Sequence, residues 1–211
     1  MLDFVVAGLS ANSVPYVEGL ELQRAVHRSV VSGERPDTVI FLEHPSVYTA
    51  GKRTAPEERP RNGTPVIDAD RGGKITWHGP GQLVGYPVIR LREPVDVVGY
   101  VRLLEGILID ALLGFDIVGC RISGRSGVWV GPEGREDKIA AIGIRVAEGV
   151  TMHGFALNCN NSLEPYDHII ACGIKDAGVT TISRMVGRDV NPADLIAPIT
   201  AQFETAWAVS A

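Results

Sequence analysis

Three kinds of side chain in this sequence can do chemistry: a thiol, a few lysines, and histidines set among glycines. Cys172 lies in IIACGIKDAGVTT, with alanine before it and glycine after it. Ile169 and Ile170 read as a strand or buried segment leading into a turn at Gly173. Such a turn can expose a thiol and offer backbone N–H groups to a developing oxyanion. The same residues also suit a buried structural cysteine, which behaves as a small hydrophobe. Cys120 and Cys159 have surroundings that read as structural.

Lys138 opens KIAAIGIRV, directly after the turn GPEGRED. It is either a solvated strand-edge lysine or, should the fold bring it to a thiol, a group that lowers the thiol pKa and carries its proton. Only four of the 20 basic residues are lysine (Lys52, Lys74, Lys138 and Lys175), so each is more telling than usual. The segment RGGKITWHGPGQ (71–82) is the most unusual in the chain. Its glycines let backbone approach a ligand closely. His78 can orient a substrate or act as acid or base, and Arg71 and Lys74 can receive an anion. A tight hairpin is the plainer reading. GPGQLVG lacks the spacing of a dinucleotide fingerprint, and no Walker A pattern occurs. His153, in MHGFALN, reads as a packing residue. With His78, His168 and Cys172 it matches no zinc spacing, so no metal is expected.

These groups need a scaffold. Apolar residues at helical spacing predict a helix over 14–32, with Ser13 as N-cap and Gly33 at its end. A second helix is expected over 95–113. A third is expected over 192–210, with Asn191 as N-cap, Pro192 in the first turn and Pro198 bending or splitting it. Residues 38–43, 65–70 and 82–91 read as strands. SGVWVG, KIAAIGIRV and VTMHGFALN read as consecutive strands of a meander. Residues 51–64 form a surface loop. Helices and consecutive strands together predict a mixed α/β or α+β sheet domain.

The chain has 211 residues, 45% hydrophobic and 21% charged, which suits one domain spanning 1–211. A net charge of −5 argues against a general nucleic-acid binder. No apolar run approaches the roughly 20 residues of a membrane span. MLDFVVAGLSANS carries an aspartate and no basic region, so no signal peptide is expected. Three cysteines without a CxxC motif fit a reducing compartment, hence the cytoplasm.

Taken together, EHPSVYTAG, RGGKITWHGPGQLVGYPVI, KIAAIGIRV, MHGFALN and CGI, in this order over roughly 38–184, resemble the lipoyl(octanoyl) transferase family. The resemblance implies the fold of the biotin/lipoate protein ligase superfamily, an α/β (α+β) domain with a mixed β-sheet flanked by helices. It implies transfer of an octanoyl group from octanoyl-acyl carrier protein to a specific lysine of a lipoyl domain. The acceptors would be 2-oxoacid dehydrogenase complexes and the glycine cleavage H protein. It implies an acyl-thioester on Cys172 and Lys138 as the residue that lowers the thiol pKa. The substrate-binding segments would be Arg71, Gly72, Gly73, Lys74, Ile75, Thr76, Trp77 and His78; Ala141, Ile142 and Gly143; and Gly154, Phe155 and Ala156. No cofactor, nucleic acid or membrane is implied, and a monomer is expected. The family pattern PCGI reads ACGI here. An ATP-dependent lipoate or biotin ligase, an octanoyl amidotransferase acting between lipoyl domains, and a noncatalytic scaffold for acyl-carrier or lipoylated proteins are the alternatives. Ile75, Ala141, Ile142 and Phe155 are expected to wall an acyl tunnel, and the basic residues of 51–74 to form a docking rim.

Overall fold

The computed structural model describes residues 2–60, 63–169 and 177–210. Cys172, the CGI run and Arg61 lie outside the described residues. The strands are β1 (Asp3–Gly8), β2 (Thr38–Leu42), β3 (Val47–Ala50), β4 (Val66–Asp68), β5 (Thr76–His78), β6 (Gln82–Val88), β7 (Gly119–Ile122), β8 (Arg125–Val130), β9 (Asp137–Ala147) and β10 (Val150–Asn158). The helices are α1 (Tyr16–Ser32), α2 (Val97–Leu113), α3 (Ile182–Val186) and α4 (Ala193–Ser210). Among the described residues, seven strands make one sheet in the order β1-β2-β6-β10-β9-β8-β7, and three make a smaller one in the order β4-β3-β5. β1 and β2 are parallel, as are β3 and β4, and the other pairs are antiparallel. The sheet is therefore mixed and flanked by helices, as the resemblance implies.

Both faces of the large sheet are covered, which is why β2 and β6 read as unbroken apolar runs. Alternation divides their side chains. Val39, Phe41 and Leu83 join the cluster built with Leu104, Leu108 and Leu112 of α2 and with Leu195, Ile199 and Phe203 of α4. Ile40, Leu42, Val84 and Tyr86 join Val26 and Val30 of α1 on the opposite face.

Helix ends follow their chemistry, with one correction. α1 starts after Pro15, not Ser13, which follows a 3-10 turn over Ser10–Asn12. Val14 N–H is held by Glu43 O at 2.8 Å, so the chain stays extended until the proline sets the first helical φ. Gly33, in a left-handed conformation, closes the helix onto Val30 O. Asp96 caps α2 through Gly99 N–H at 2.8 Å. Asn191 Oδ1 accepts from Ala193 N–H, and Asp194 Oδ2 accepts from Asn191 N–H, a reciprocal start to α4. Pro198 lies inside α4 without splitting it. Strands β1, β3, β5 and β7 have no counterpart in the sequence reading. β1 pairs only with β2 at the sheet edge, and DFVVAG lacks the alternation that announces a half-buried strand.

Candidate active site

The two short segments expected at positions 141–143 and 154–156 are cross-strand partners. Gly154 pairs with Gly143, Phe155 with Ile142, and Ala156 with Ala141. On the face toward α1 the paired side chains are thus Gly–Gly and Ala–Ala, which leaves open space above β9 and β10. That space is a cavity of ≈250 Å³. Its inner wall is Tyr16 of α1, Val84 and Tyr86 of β6, and His78 of β5. Phe155 lies against Gly85, where a Cβ would come within 2.1 Å of the ring. Gly154 permits the closest strand approach: a Cβ there would sit 2.2 Å from Gly85 O. The outer end is formed by Arg53, Gly124, Arg125 and Ser126, at which the cavity meets solvent.

Lys138 lies near that outer end. Simple alternation would give it the face of Ala140, which is core. A register shift in the β8–β9 pairing sets Lys138 opposite Trp129 instead, and its side chain lines the cavity. Bulges commonly re-aim a side chain beside a site in this way. Lys138 is 6% exposed. Its Nζ donates to Ser126 O at 3.1 Å and stands 4.7 Å from the Trp129 ring centroid. Its backbone is bonded on both sides to the chain that follows 170–176. Lys138 N–H donates to Gly178 O at 2.9 Å, and Thr180 N–H donates to Lys138 O at 3.0 Å. The chain therefore re-enters the described structure alongside Lys138.

The glycine-rich segment is stitched rather than loose. Arg71 is buried, and its guanidinium donates to Gly72 O, Lys74 O, Thr49 O and Thr49 Oγ1 at 2.6–2.9 Å. It staples the turn through backbone carbonyls and the Thr49 hydroxyl while also lining the cavity. Gly73 sits at φ 83°, a conformation that favours glycine. Gly72 N–H donates to Ile144 O at 3.0 Å, tying the turn to β9. From this turn into β5 the side chains alternate. Lys74, Thr76 and His78 line the cavity, whereas Ile75 and Trp77 pack with Tyr48 in a separate cluster. Ile75 therefore does not wall the cavity, against the expectation, because a strand sends neighbouring side chains to opposite faces. Gly72 also lies outside the lining.

The docking rim is corrected as well. Lys74 pairs with Glu58 and Arg59 with Asp68, and Arg71 is internal. Lys52 and Arg53 are the exposed cations of that segment among the described residues.

His78 is not an acid. Its Nδ1–H donates to Gln82 Oε1 at 2.8 Å, and its Nε2 accepts from the Thr49 hydroxyl at 3.2 Å. Burial, with His44 nearby, pushes its pKa down to about 3. Gln82 Nε2 continues the network to Asn158 Oδ1 and Tyr166 Oη, both at 2.9 Å, and Asn158 Nδ2 donates to Thr180 O at 3.0 Å. His78 thus positions the segment beside Lys138 rather than moving protons. His44 is likewise neutral, its pKa lowered to about 4 by burial, between Val14 O and the Tyr86 hydroxyl, each at 2.6 Å.

These two histidines make stability pH-dependent. Each is neutral when folded and binds a proton near pH 6.5 when unfolded, so the unfolded state holds more protons below that pH and stability falls on acidification. We expect a loss of about 1.4 kcal/mol per pH unit for each histidine between roughly pH 6 and 4. Denaturant melts across that range check it. A flat profile would contradict the buried neutral assignment.

His153 joins the cavity wall unexpectedly. Its φ of 59° is left-handed within a strand, a strain of about 1–3 kcal/mol. Gln23 Oε1 on α1 accepts its N–H at 2.8 Å, and its Nε2–H donates to Asp70 Oδ1 at 2.7 Å. Burial works against the Asp70 charge, but His153 and Arg145 outweigh it and hold the carboxyl below its ordinary value. Tyr16, Val84, Tyr86 and the 124–126 turn also escaped the sequence reading. Tyr16 and Tyr86 look like ordinary core aromatics, and nothing in SGRS marks a rim.

Residues 15–204 match the model of the lipoyl protein ligase A/B catalytic domain. The chain belongs to that family. Among its relatives is an octanoyltransferase of Clavibacter sepedonicus, 66% identical over 201 residues, 93% of this chain and 87% of that one. Another, an octanoyltransferase of Leifsonia xyli subsp. xyli, is 60% identical over 209 residues, 96% and 93% of the two chains. A bi-partite lipoate protein ligase from Thermoplasma acidophilum shares the fold. Its TM-score is 0.73 at 15% identity, over 99% of this chain and 84% of that one. A biotin protein ligase from Aquifex aeolicus gives a TM-score of 0.56 at 12% identity, over 99% and 69% of the chains.

Proposed function

We propose that this chain carries an octanoyl group on Cys172 as a thioester and delivers it to a lysine of a lipoyl domain. The chain is an acyltransferase of protein lipoylation, and octanoyl is the group transferred. The donor in this reading is octanoyl-acyl carrier protein, and the acceptors are lipoyl domains of 2-oxoacid dehydrogenase complexes and the glycine cleavage H protein. The observation that carries the mechanism is Lys138. It is a buried lysine, turned into the cavity by a strand bulge and bonded through its backbone to the chain that follows Cys172. The other two thiols support the choice of nucleophile. Burial pushes Cys159 up to about 12, and burial with Glu136 raises Cys120.

In the first step Lys138 takes the Cys172 proton. The thiolate attacks the donor carbonyl, a new C–S bond forms, the carrier's C–S bond breaks, and the leaving thiolate takes the proton. One thioester replaces another at nearly equal energy, so no nucleotide is required. In the second step the acceptor lysine, as its free amine, attacks the acyl-enzyme. The C–N bond forms, the Cys172 C–S bond breaks, and the amine's proton passes through Lys138 to the departing thiolate. A ping-pong scheme follows.

The acyl chain lies over the Gly–Gly and Ala–Ala pairs, toward Val84 and Tyr86. Its burial there is worth about 0.8 kcal/mol per methylene. Incubation with octanoyl-acyl carrier protein, without ATP and without acceptor, is expected to add about 126 Da to Cys172 by peptide mapping, as covalent catalysis requires. An adduct that needs ATP, or one on another residue, would overturn the reading.

A further inference from the structure

Resting on that transfer reading, we propose that Tyr16 is the end wall that measures the acyl chain, by length through its ring and by polarity through its hydroxyl. The cavity is graded. Its outer end is exposed at Arg53, Gly124 and Ser126, Lys138 stands just inside, and its far end is buried, with Tyr16 only 4% exposed. The sheet order fixes the direction between these points. From Lys138 on β9 the floor crosses β10 to Val84 and Tyr86 on β6. Val84 stands in the Ala141–Ala156 row, two strands across and three residues along from Lys138, about 14 Å by strand spacing and rise, the scale of an extended eight-carbon chain together with the thioester sulfur that anchors it and its contact with the end wall. A chain joined to a thiol beside Lys138 therefore ends at Tyr16.

The wall is rigid. The Tyr16 ring stacks on His78 with centroids 6.3 Å apart and 9° between planes, and meets the edge of His44 at 5.3 Å. Both histidines are fixed by their own hydrogen bonds. Tyr16 is also the anomaly of the cavity. Its hydroxyl is buried and has no hydrogen-bond partner among the described residues. Phenylalanine would fill the same space without that penalty, so the hydroxyl is not there for the packing. A partner for it must come from what occupies the cavity it lines. A chain of eight carbons stops at this wall. A longer one must drive its methyl end into the ring and onto a desolvated hydroxyl, whereas a chain ending in a hydrogen-bonding atom meets a waiting partner.

The test is a competition among N-acetylcysteamine thioesters of octanoyl, decanoyl, dodecanoyl and 8-hydroxyoctanoyl groups, read as ratios of kcat/KM for acylation. In the native protein decanoyl and dodecanoyl trail octanoyl, and 8-hydroxyoctanoyl competes with it. Tyr16→Val is expected to raise the decanoyl-to-octanoyl ratio about tenfold, as two further methylenes become buried. Tyr16→Phe is expected to lower the 8-hydroxyoctanoyl-to-octanoyl ratio about fivefold, the loss of one hydrogen bond, while raising the melting temperature. Tyr16→Phe keeps the test decisive if Tyr16→Val fails to fold. Ratios unchanged in the folded variants would overturn the wall while leaving octanoyl transfer intact. A native protein that takes up no donor would instead overturn the transfer reading itself, and the wall with it.

Discussion

Cys172→Ala is expected to cut octanoyl transfer at least about a thousandfold, on the scale seen when a catalytic nucleophile is removed. It should also leave no acyl adduct. The size of the effect follows from the absence of a substitute among the described thiols. Cys159 is fully buried with its thiol pushed up to about 12. Cys120, on β7, pairs with Trp129 rather than lining the cavity, and its thiol is raised too. Neither supplies a thiolate at neutral pH, and the thiolate is the species that attacks. Direct attack of the acceptor lysine on the donor is the remaining route, and it should show sequential rather than ping-pong kinetics. Steady-state assays with the acyl carrier donor, paired with intact mass after rapid quench, read both outcomes. Normal turnover in the alanine protein would remove Cys172 from the reaction.

Much of this arrangement is legible in the sequence, for identifiable reasons. Long helices declare themselves through apolar spacing and caps, as Asp96, Gly33 and Asn191 show. Buried strands such as TVIFL and QLVGYPV declare themselves as apolar runs. The resemblance brings out segments 71–78, 141–143 and 154–156 because close backbone approach restricts residue choice there: a side chain at Gly154 would collide with Gly85 O. What was not legible depends on contacts distant in sequence. Arg71 reads as a free cation until the fold supplies Thr49 O and its neighbours as acceptors. Ile75 reads as part of the site because the motif is contiguous, whereas a strand alternates. His153 reads as packing because its left-handed backbone is set by Gln23, on a helix far away in sequence. The orientation of Lys138 depends on a bulge, which no periodicity rule anticipates.

That bulge frames the second large effect. Lys138→Ala is expected to slow both half-reactions by about a hundred- to ten-thousandfold, the usual range for loss of a positioned proton carrier. The ammonium is a cation that the structure places beside the chain that follows Cys172, and among the described residues its side-chain contacts are neutral: Ser126 O and the face of Trp129. Among the described residues no carboxylate is paired with it, so its charge is left to stabilise a neighbouring thiolate. Its removal therefore makes the thiol harder to ionise, and the rising limb of the acylation pH profile should move to higher pH. Lys138→Arg separates the two roles. It restores the positive charge, so the limb should move back toward its native position. A guanidinium does not release its proton in the working range, so the amide-forming step should stay slow. Single-turnover acylation and deacylation, measured separately across pH, distinguish these results. An alanine variant with native rates and an unmoved profile would exclude Lys138 from the mechanism. An arginine variant that recovers both steps would reduce its part to electrostatics.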